Sequence, residues 1–463
     1  MSVAWGTYEP LIKACVRYGT SKDSLDSIVC SEAPPKSYPT SRTWFHDVTL
    51  TDLKPATKYF YEIISTNSTI VEFFSPRLAG DETPFTMGFA IDLGVMGDDG
   101  FTLAADVPAS LSKREALSGV DPSMNHSTIQ RLADTLDSYE LINHPGDFAY
   151  ADTWMGEAHN VYDGKNAYSA IIEQFYNQLS VVSARKPYMG SPGNHEAACF
   201  EIHLGTAFCP TGQRNFSDFS HRFSNMPKSF PSTSDNETAR VLANKARQLA
   251  NPPFWYSYDY GQVHVIMVDT ETDFPDAPDQ PGGSAGLDGG PFGDTPNQQL
   301  EFIKADLAAV DRSVTPWVIA TGHRPLYTTK PDKNCEPCRL FFEPLFYQYG
   351  VDAVVVGHVH NSQRFLPVYN FTADPAGMKD PKAPMYIVAG GGGNVEGISP
   401  ISGPPDGNFT AFMYDEHFSY ASMTFHDKNT LQIDIWASST GERVDSSTLF
   451  KSHKERFVDQ SLP

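Results

Sequence analysis

The feature that most constrains this chain is a series of polar residues, each of which follows a short apolar run. The runs have the length and composition of buried β-strands, and helical spacing of apolar residues occurs between them, at 127–142, 168–182 and 300–310. A further short helix is predicted at 341–349. Strands that alternate with helices form an α/β fold, in which functional loops gather at the carboxyl ends of the strands. The residues in those positions are Asp92, Asp147, Tyr150, Asn194, His323, His358 and His360. We expect them to meet in one pocket.

These side chains offer carboxylate, phenol, amide and imidazole donors, which are the ligands that hard and borderline metal ions prefer. His358 and His360 are two residues apart in an extended segment, so both rings project to one side. Taken singly, Asp92 is also typical of a turn, and His323 of a buried structural histidine. As an ordered set, the residues predict two metal ions that share one carboxylate.

Two domains are predicted from a change in the pattern of apolar residues along the chain. Residues 1–82 carry short alternating runs between Pro, Gly and Ser clusters, which indicates a small all-β unit. Within it, 50–61 resembles the corner before a late strand of a fibronectin type III sandwich. Residues 83–463 show strand–helix alternation and close with β-strands over about 384–450. The stretch 275–296, rich in Gly, Pro and Asp, is predicted to be a long surface loop.

The charge and apolar content of the chain exclude two classes of partner. A net charge of −22 argues against nucleic acid, whose phosphates require a basic surface. No apolar run has the length needed to cross a bilayer, so no membrane partner is predicted. The same negative charge repels anions, and an anion site would need concentrated positive charge of its own, which bound metals supply. The sequence does not predict the oligomeric state.

Cysteine spacing and glycosylation sequons indicate a secreted protein. The six cysteines fall into local pairs, which is typical of disulfides, although the sequence leaves their connectivity open. The pairs are Cys15 with Cys30, Cys199 with Cys209, and Cys335 with Cys338. A zinc site at the last pair is the alternative, but it would need a second pair of thiols or imidazoles. The candidate glycosylation sites are Asn67, Asn125, Asn215, Asn236, Asn370 and Asn408.

The metal-binding motifs, in this order, resemble those of the purple acid phosphatases, a family of the calcineurin-like metallophosphoesterase superfamily. They are Ile-Asp-Leu-Gly at Asp92, Gly-Asp-Phe-Ala-Tyr at Asp147, Gly-Asn-His-Glu at Asn194, Gly-His-Arg-Pro at His323 and Gly-His-Val-His at His358. The stretches 255–261 and 267–271 are similar to the long-chain and fungal members. The resemblance implies a fibronectin III-like β-sandwich followed by a two-sheet α/β/β/α catalytic domain.

The resemblance also implies an acid phosphatase that hydrolyses phosphate monoesters with Fe(III) and a divalent ion, which is Zn, Fe or Mn. The Fe(III) ligands carried over from the family are Asp92, Asp147, Tyr150 and His360. Asp147 would bridge to the second ion, which Asn194, His323 and His358 would complete. A hydroxide held by the metals would be the nucleophile.

His195 is the first candidate for the general acid, and it could also bind the phosphate together with Asn194. Many family members carry a further histidine shortly after the one that matches His323. This chain has none between residues 324 and 338, so Arg324 becomes a candidate for substrate binding and His203 a second candidate for the acid. We assign the strand histidines His144 and His264 to structure.

Three alternative functions remain open at this point. A phosphodiesterase or nucleotide pyrophosphatase would use the same site, and so would a phytase, because an open metal site accepts bulky polyphosphates. A non-catalytic extracellular binding protein would instead use the N-terminal β unit. The complete ligand set argues against this last alternative.

Overall fold

The computed structural model describes residues 1–95, 127–155, 165–197, 209–226, 231–278, 292–401, 405 and 407–463. At the N-terminus, short strands form two small sheets around a common core. Their bounds are β1 (Ser2–Thr7), β2 (Cys15–Gly19), β3 (Ser27–Cys30), β4 (Trp44–Thr49), β5 (Lys58–Ile63) and β6 (Val71–Phe74). β1 pairs with β4, and the second sheet has the order β3-β2-β5-β6. Val16, Tyr59 and Phe73 are buried between them, as expected of a small sandwich.

A six-stranded sheet begins the larger part of the chain. Its strands are β7 (Phe85–Phe89), β8 (Leu141–Pro145), β9 (Tyr188–Ser191), β19 (Ser419–Asp427), β20 (Thr430–Ala437) and β21 (Arg443–Phe450). Their order is β21-β20-β19-β7-β8-β9, with β7, β8 and β9 parallel to one another. The closing strands therefore extend the sheet beside β7.

A seven-stranded sheet provides the second layer. Its strands are β10 (Tyr256–Tyr260), β11 (Val263–Met267), β12 (Trp317–Thr321), β13 (Ala353–Val356), β14 (Ser362–Phe365), β17 (Met385–Ala389) and β18 (Thr410–Tyr414). The order is β10-β11-β12-β13-β17-β14-β18, and β11, β12, β13 and β17 are parallel. A small hairpin pairs β15 (Val368–Tyr369) with β16 (Thr372–Ala373).

Helices connect the strands and cover the sheets. The described ones are α1 (Ser127–Asp134), α2 (Ala151–Met155), α3 (Lys165–Ser183), α4 (Asn194–Ala197), α5 (Ser217–Arg222), α6 (Glu237–Leu249), α7 (Gln298–Ala309) and α8 (Glu336–Gln348). Short 3-10 helices occupy Leu136–Ser138, Arg214–Phe216 and Pro331–Lys333. Within these described segments, no helix is both long and apolar enough to span a bilayer.

The core lies between and outside the two large sheets because successive strand residues point to opposite faces. Met87 and Phe89 of β7 pack in one cluster with Ile319 of β12, which fills the space between the sheets. Val318 and Ala320, on the other face of β12, join a separate cluster with the helices. The fold is therefore the predicted α/β/β/α arrangement.

Two helix predictions differ from the structure. The helix predicted at 127–142 ends at Asp134, and Leu141 already belongs to β8. Leu141 matched the helical spacing by chance, because a fully buried parallel strand has no alternation to distinguish it. The helix predicted at 341–349 begins earlier, at Glu336, where the Cys335 side chain accepts the backbone N–H of Cys338.

Two of the predicted cysteine pairs are disulfides in the structure, Cys15–Cys30 and Cys335–Cys338. The second of these contradicts the zinc alternative at that position. Cys209 is also disulfide-bonded, while its predicted partner Cys199 lies outside the described residues.

Candidate metal centre

The predicted ligands follow the carboxyl ends of parallel strands, and the backbone there is unusual. Asp92, Asp147, Tyr150 and His358 all have positive φ values, of 59°, 55°, 51° and 67°. Residues other than glycine rarely adopt this conformation, which concentrates where function requires a fixed side-chain direction. Gly146, with φ at 97°, precedes Asp147, and a Cβ there would lie 2.5 Å from the His323 ring. Only glycine fits this approach.

Three of the predicted ligands form a first donor group around the Tyr150 hydroxyl. The hydroxyl donates to Asp92 Oδ1 at 2.8 Å and lies 2.8 Å from His360 Nε2. His360 Nε2 is 3.6 Å from Asp92 Oδ1. All three side chains are buried. We call Asp92, Tyr150 and His360 the first donor group.

A second donor group forms around His323. Its Nε2 lies 3.0 Å from Asn194 Oδ1, and the rings of His323 and His358 are 5.1 Å apart between centroids. We call Asn194, His323 and His358 the second donor group. Asp147 lies between the two groups, with Oδ2 3.2 Å from the Tyr150 hydroxyl and 3.0 Å from His323 Nε2. Ligand atoms of Asp147, His323 and His358 all fall within 4.8 Å of one another.

The two large sheets contribute different kinds of donor. The oxygen donors follow strands of the six-stranded sheet and are Asp92, Asp147, Tyr150 and Asn194. The nitrogen donors follow β12 and β13 of the seven-stranded sheet and are His323, His358 and His360. The centre therefore lies at the rim where the two sheets meet.

The electrostatics of this pocket fit bound cations. Burial, together with the nearby Asp147 carboxylate, raises the pKa of Asp92 to about 8. Burial and these two carboxyl groups also raise the pKa of Tyr150 well above its ordinary value. Burial and the Arg324 guanidinium lower the pKa of His358 well below its ordinary value. Ionised acids and neutral imidazoles are the forms that bind metals, and two cations would compensate the buried negative charge. The residues thus fit a dinuclear metal centre.

Glu196 fixes the loops that carry two of the donors. Its Oε2 accepts the backbone N–H groups of Asp147 and Gly193, both at 2.8 Å, and its Oε1 accepts that of Phe148 at 2.9 Å. One carboxylate therefore joins the loop after β8 to the loop after β9. The Asp147 carboxylate in turn accepts the backbone N–H of His195 at 2.9 Å.

His195 is held by a buried carboxylate beside the centre. Its Nδ1 lies 2.9 Å from both oxygens of Asp152, and Gln213 donates to the same carboxylate at 2.9 Å. Its Nε2 lies 3.9 Å from Asp147 Oδ2 and 3.7 Å from Glu396 Oε1. Burial lowers the pKa of His195, but the Asp152 carboxylate outweighs this effect and raises the pKa well above its ordinary value. The Asp152 carboxylate thus orients the ring and favours its protonated form.

Arg324 lies on the side of the second donor group. Its Nε donates to both carboxylate oxygens of Glu271, and its Nη1 is 3.3 Å from His358 Nε2. The structure thus brings the seven predicted ligands, His195 and Arg324 into one region. His203, the second candidate for the general acid, lies outside the described residues.

The sequence prediction did not include three carboxylates that support the site. They are Asp152, Glu196 and Glu271. Asp152 lies two residues after Tyr150 and Glu196 directly follows His195, which was the available signal for these two carboxylates. The assignment of His144 to structure agrees with its ring stacking on Phe148 at 3.9 Å.

Family profiles match successive parts of the chain. The profile described as "Purple acid Phosphatase, N-terminal domain" matches residues 1–78, "Calcineurin-like phosphoesterase" matches 121–362, and "Iron/zinc purple acid phosphatase-like protein C" matches 383–446. The fold and the site therefore define a calcineurin-like phosphoesterase.

Individual relatives identify the family within this class of phosphoesterases. The chain is 58% identical to "Acid phosphatase A" of Cryphonectria parasitica over 99% of its own length and 91% of that protein. It is 28% identical to "Acid phosphatase" of Aspergillus ficuum, with 97% and 82% covered. The chain belongs to the purple acid phosphatase family, as its motifs predicted. The solved purple acid phosphatase PPD1 of yellow lupin shares the fold, with a TM-score of 0.66 at 21% identity over 97% of this chain and 72% of that one.

Proposed function

We propose that this chain is a secreted acid phosphatase that hydrolyses phosphate monoesters at a centre of Fe(III) and a divalent Zn, Fe or Mn ion. The observation that carries the proposal is the position of Asp147. Its Oδ2 lies within 3.2 Å of the Tyr150 hydroxyl and 3.0 Å of His323 Nε2, so one carboxylate can serve both donor groups.

The first donor group would hold Fe(III), because a phenol beside a carboxylate suits a hard trivalent ion. The second donor group would hold the divalent ion. Asp147 would contact both. Two such cations supply Lewis acidity and an activated water for phosphate-ester hydrolysis.

His195 would deliver the proton to the leaving oxygen. An alkoxide is a poor leaving group, so this proton lowers the barrier most for alkyl esters. Asp152 orients the ring through Nδ1, which leaves Nε2 toward the centre. Asn194 and Arg324 would contact the phosphoryl oxygens from the side of the second donor group.

Disulfides and exposed sequons support the proposed secretion. Cys15–Cys30 and Cys335–Cys338 are typical of an oxidising compartment. Four candidate glycosylation sites are exposed, Asn67, Asn215, Asn370 and Asn408. Asn236 is half-buried and caps α6, and Asn125 lies outside the described residues.

The proposal is tested by metal analysis and a visible spectrum of the purified protein. We expect iron together with a second metal, and a violet absorption from charge transfer between the Tyr150 phenolate and iron. Tyr150→Phe should lose this absorption. Tyr256→Phe is the matched control, because Tyr256 is equally buried and donates to Gly190 O, so it should keep the colour.

Turnover then distinguishes the substrate classes. We expect phosphate monoesters to be hydrolysed with higher kcat/KM than diesters, nucleotide pyrophosphates or phytate. Dominant activity toward any of the other three would replace the proposed substrate. Absence of bound metal together with absence of hydrolysis after Fe and Zn are added would contradict the proposal as a whole.

A further inference from the structure

A buried carboxylate and a guanidinium form a fixed pair beside the second donor group. Arg324 follows His323 directly, in the loop after β12. Its Nε donates to Glu271 Oε1 at 3.0 Å and to Oε2 at 2.8 Å. The Glu271 side chain is fully buried, whereas the Arg324 side chain keeps 15% of its surface exposed. The pair therefore runs from the interior toward the rim of the pocket.

Neighbouring polar groups hold both members of this pair. The Thr270 hydroxyl accepts the backbone N–H of Arg324 at 2.9 Å and donates to Glu271 Oε1 at 3.0 Å. The backbone N–H of Glu271 is itself bound by Asp269 Oδ1 at 2.8 Å. Surface ion pairs lack such fixation and contribute little to stability. These hydrogen bonds hold the Glu271–Arg324 ion pair in a single geometry.

The guanidinium points its Nη end at the metal centre. Glu271 engages the Nε side of the group, and Nη1 lies 3.3 Å from His358 Nε2. A guanidinium presents its N–H donors as a planar fork, which matches two oxygens of a phosphoryl group. In a chain with a net charge of −22, a phosphate ester needs a concentrated positive site.

Glu271 also makes this placement electrostatically possible. A cation next to two metal ions is repelled by them, and a carboxylate on its far side offsets part of that repulsion. Glu271 has no surface exposure of its own, so solvent does not screen its charge from Arg324. The carboxylate thus both orients the guanidinium and lowers the cost of its position.

We propose that Glu271 is a positioning residue that holds Arg324 where its guanidinium binds the oxygens of a phosphoryl group beside the second donor group. The inference rests on the proposed function and adds to it the residue that positions Arg324. Glu271 touches neither the phosphoryl group nor the metals. Its effect passes through Arg324.

The test is calorimetric titration of the metal-loaded full chain with inorganic phosphate, for wild type, Glu271→Gln, Arg324→Met and the double variant. We expect each single change to weaken phosphate binding at least about tenfold, the effect of one charge-assisted hydrogen bond. The double variant should bind no more weakly than Arg324→Met alone, because Glu271 acts through Arg324. Metal content should be the same in all four proteins.

Glu336→Gln is the matched control. Glu336 accepts two hydrogen bonds from Arg339, at 3.0 and 2.6 Å, and so forms a similar two-point pair at the start of α8. This variant should bind phosphate as wild type does. If Glu271→Gln does not fold, Glu271→Asp, which keeps the charge but shortens its reach, serves as the second variant and should also weaken binding.

Three results would overturn the inference: unchanged phosphate binding in Glu271→Gln, additive losses in the double variant, or loss of metal from Glu271→Gln. Wild-type protein that fails to bind phosphate would also overturn it. The proposed function fails separately, if metal-loaded wild type binds phosphate but hydrolyses no phosphate ester. In that case the binding comparison still decides the role of Glu271.

Discussion

His195 Nδ1 lies 2.9 Å from each of the two carboxylate oxygens of Asp152. This contact orients the ring and raises its pKa, so Asp152→Ala should leave His195 present but misdirected. We predict that kcat falls about 10- to 100-fold, less than the roughly 10²- to 10⁴-fold contribution of a general acid, because His195 itself remains. Esters with alkyl leaving groups should lose most, since they depend most on the proton. Rates for a series of esters with different leaving-group pKa values check this, and an equal loss across the series would contradict it.

Glu196 should be required for metal binding although it is not a ligand. Its carboxylate accepts three backbone N–H groups from the loops that carry Asp147 and Asn194. Glu196→Gln replaces one accepting oxygen with a donor, so at least one buried N–H loses its partner, at a cost of about 1–3 kcal/mol. We expect a lower free energy of unfolding and reduced metal content after dialysis. Full metal retention in a destabilised variant would limit Glu196 to a structural role.

Arg312 should be among the most sensitive positions far from the centre. Its Nη1 donates to Asp352 Oδ2 at 2.7 Å, and the two side chains are 2% and 0% exposed. Arg312→Met leaves Asp352 as a buried charge with less compensation, so we predict a destabilisation of about 3–5 kcal/mol. Arg17→Met breaks an exposed pair with Glu62 and should cost less than about 1 kcal/mol. Chemical denaturation of both variants measures the difference, and similar losses would contradict the burial argument.

His264 should make stability depend on pH. Burial lowers the pKa of His264, but the carboxylates of Asp306 and Asp259 outweigh this effect and raise the pKa to about 10. The folded state therefore favours the protonated ring, whose contribution is complete below pH 6.5 and disappears as the pH rises through about 10. The difference in unfolding free energy between wild type and His264→Gln should shrink from pH 6 to pH 10.

The matched control for this titration is His426→Gln at an exposed position, which should leave the free energy of unfolding nearly unchanged. A difference for His264→Gln that stays constant between pH 6 and pH 10 would show that the ring stabilises the fold by packing alone.

The sequence was sufficient to predict those parts of the fold that depend on the periodicity of apolar residues and on the position of polar residues at strand ends. Asp147 and His358 were placed correctly at strand ends because parallel strands direct their carboxyl ends to one rim. The helix predicted through residue 142 was wrong because Leu141 and Ile142 belong to a strand buried on both faces. The conformation of this segment is determined by its burial in the tertiary structure, which the neighbouring sequence alone does not reveal.

The supporting carboxylates could not be predicted in the same way. Glu196 acts on backbone N–H groups almost 50 residues away, at contacts with a sequence separation of 48 and 49. Glu271 and Arg324 meet across 53 residues. Such contacts depend on the exact course of two loops, including positive φ at Asp147. Composition and spacing do not contain that information.

The division of donors between the sheets has a consequence for assembly. In the proposed assignment, neither layer alone supplies all the ligands of either ion, since the carboxylate, phenol and amide donors come from one layer and every imidazole donor from the other. On this assignment, both ions would bind only after the two layers have docked. Bound ions would then crosslink the two layers, and a chelator should weaken the packing between the layers before it unfolds either one.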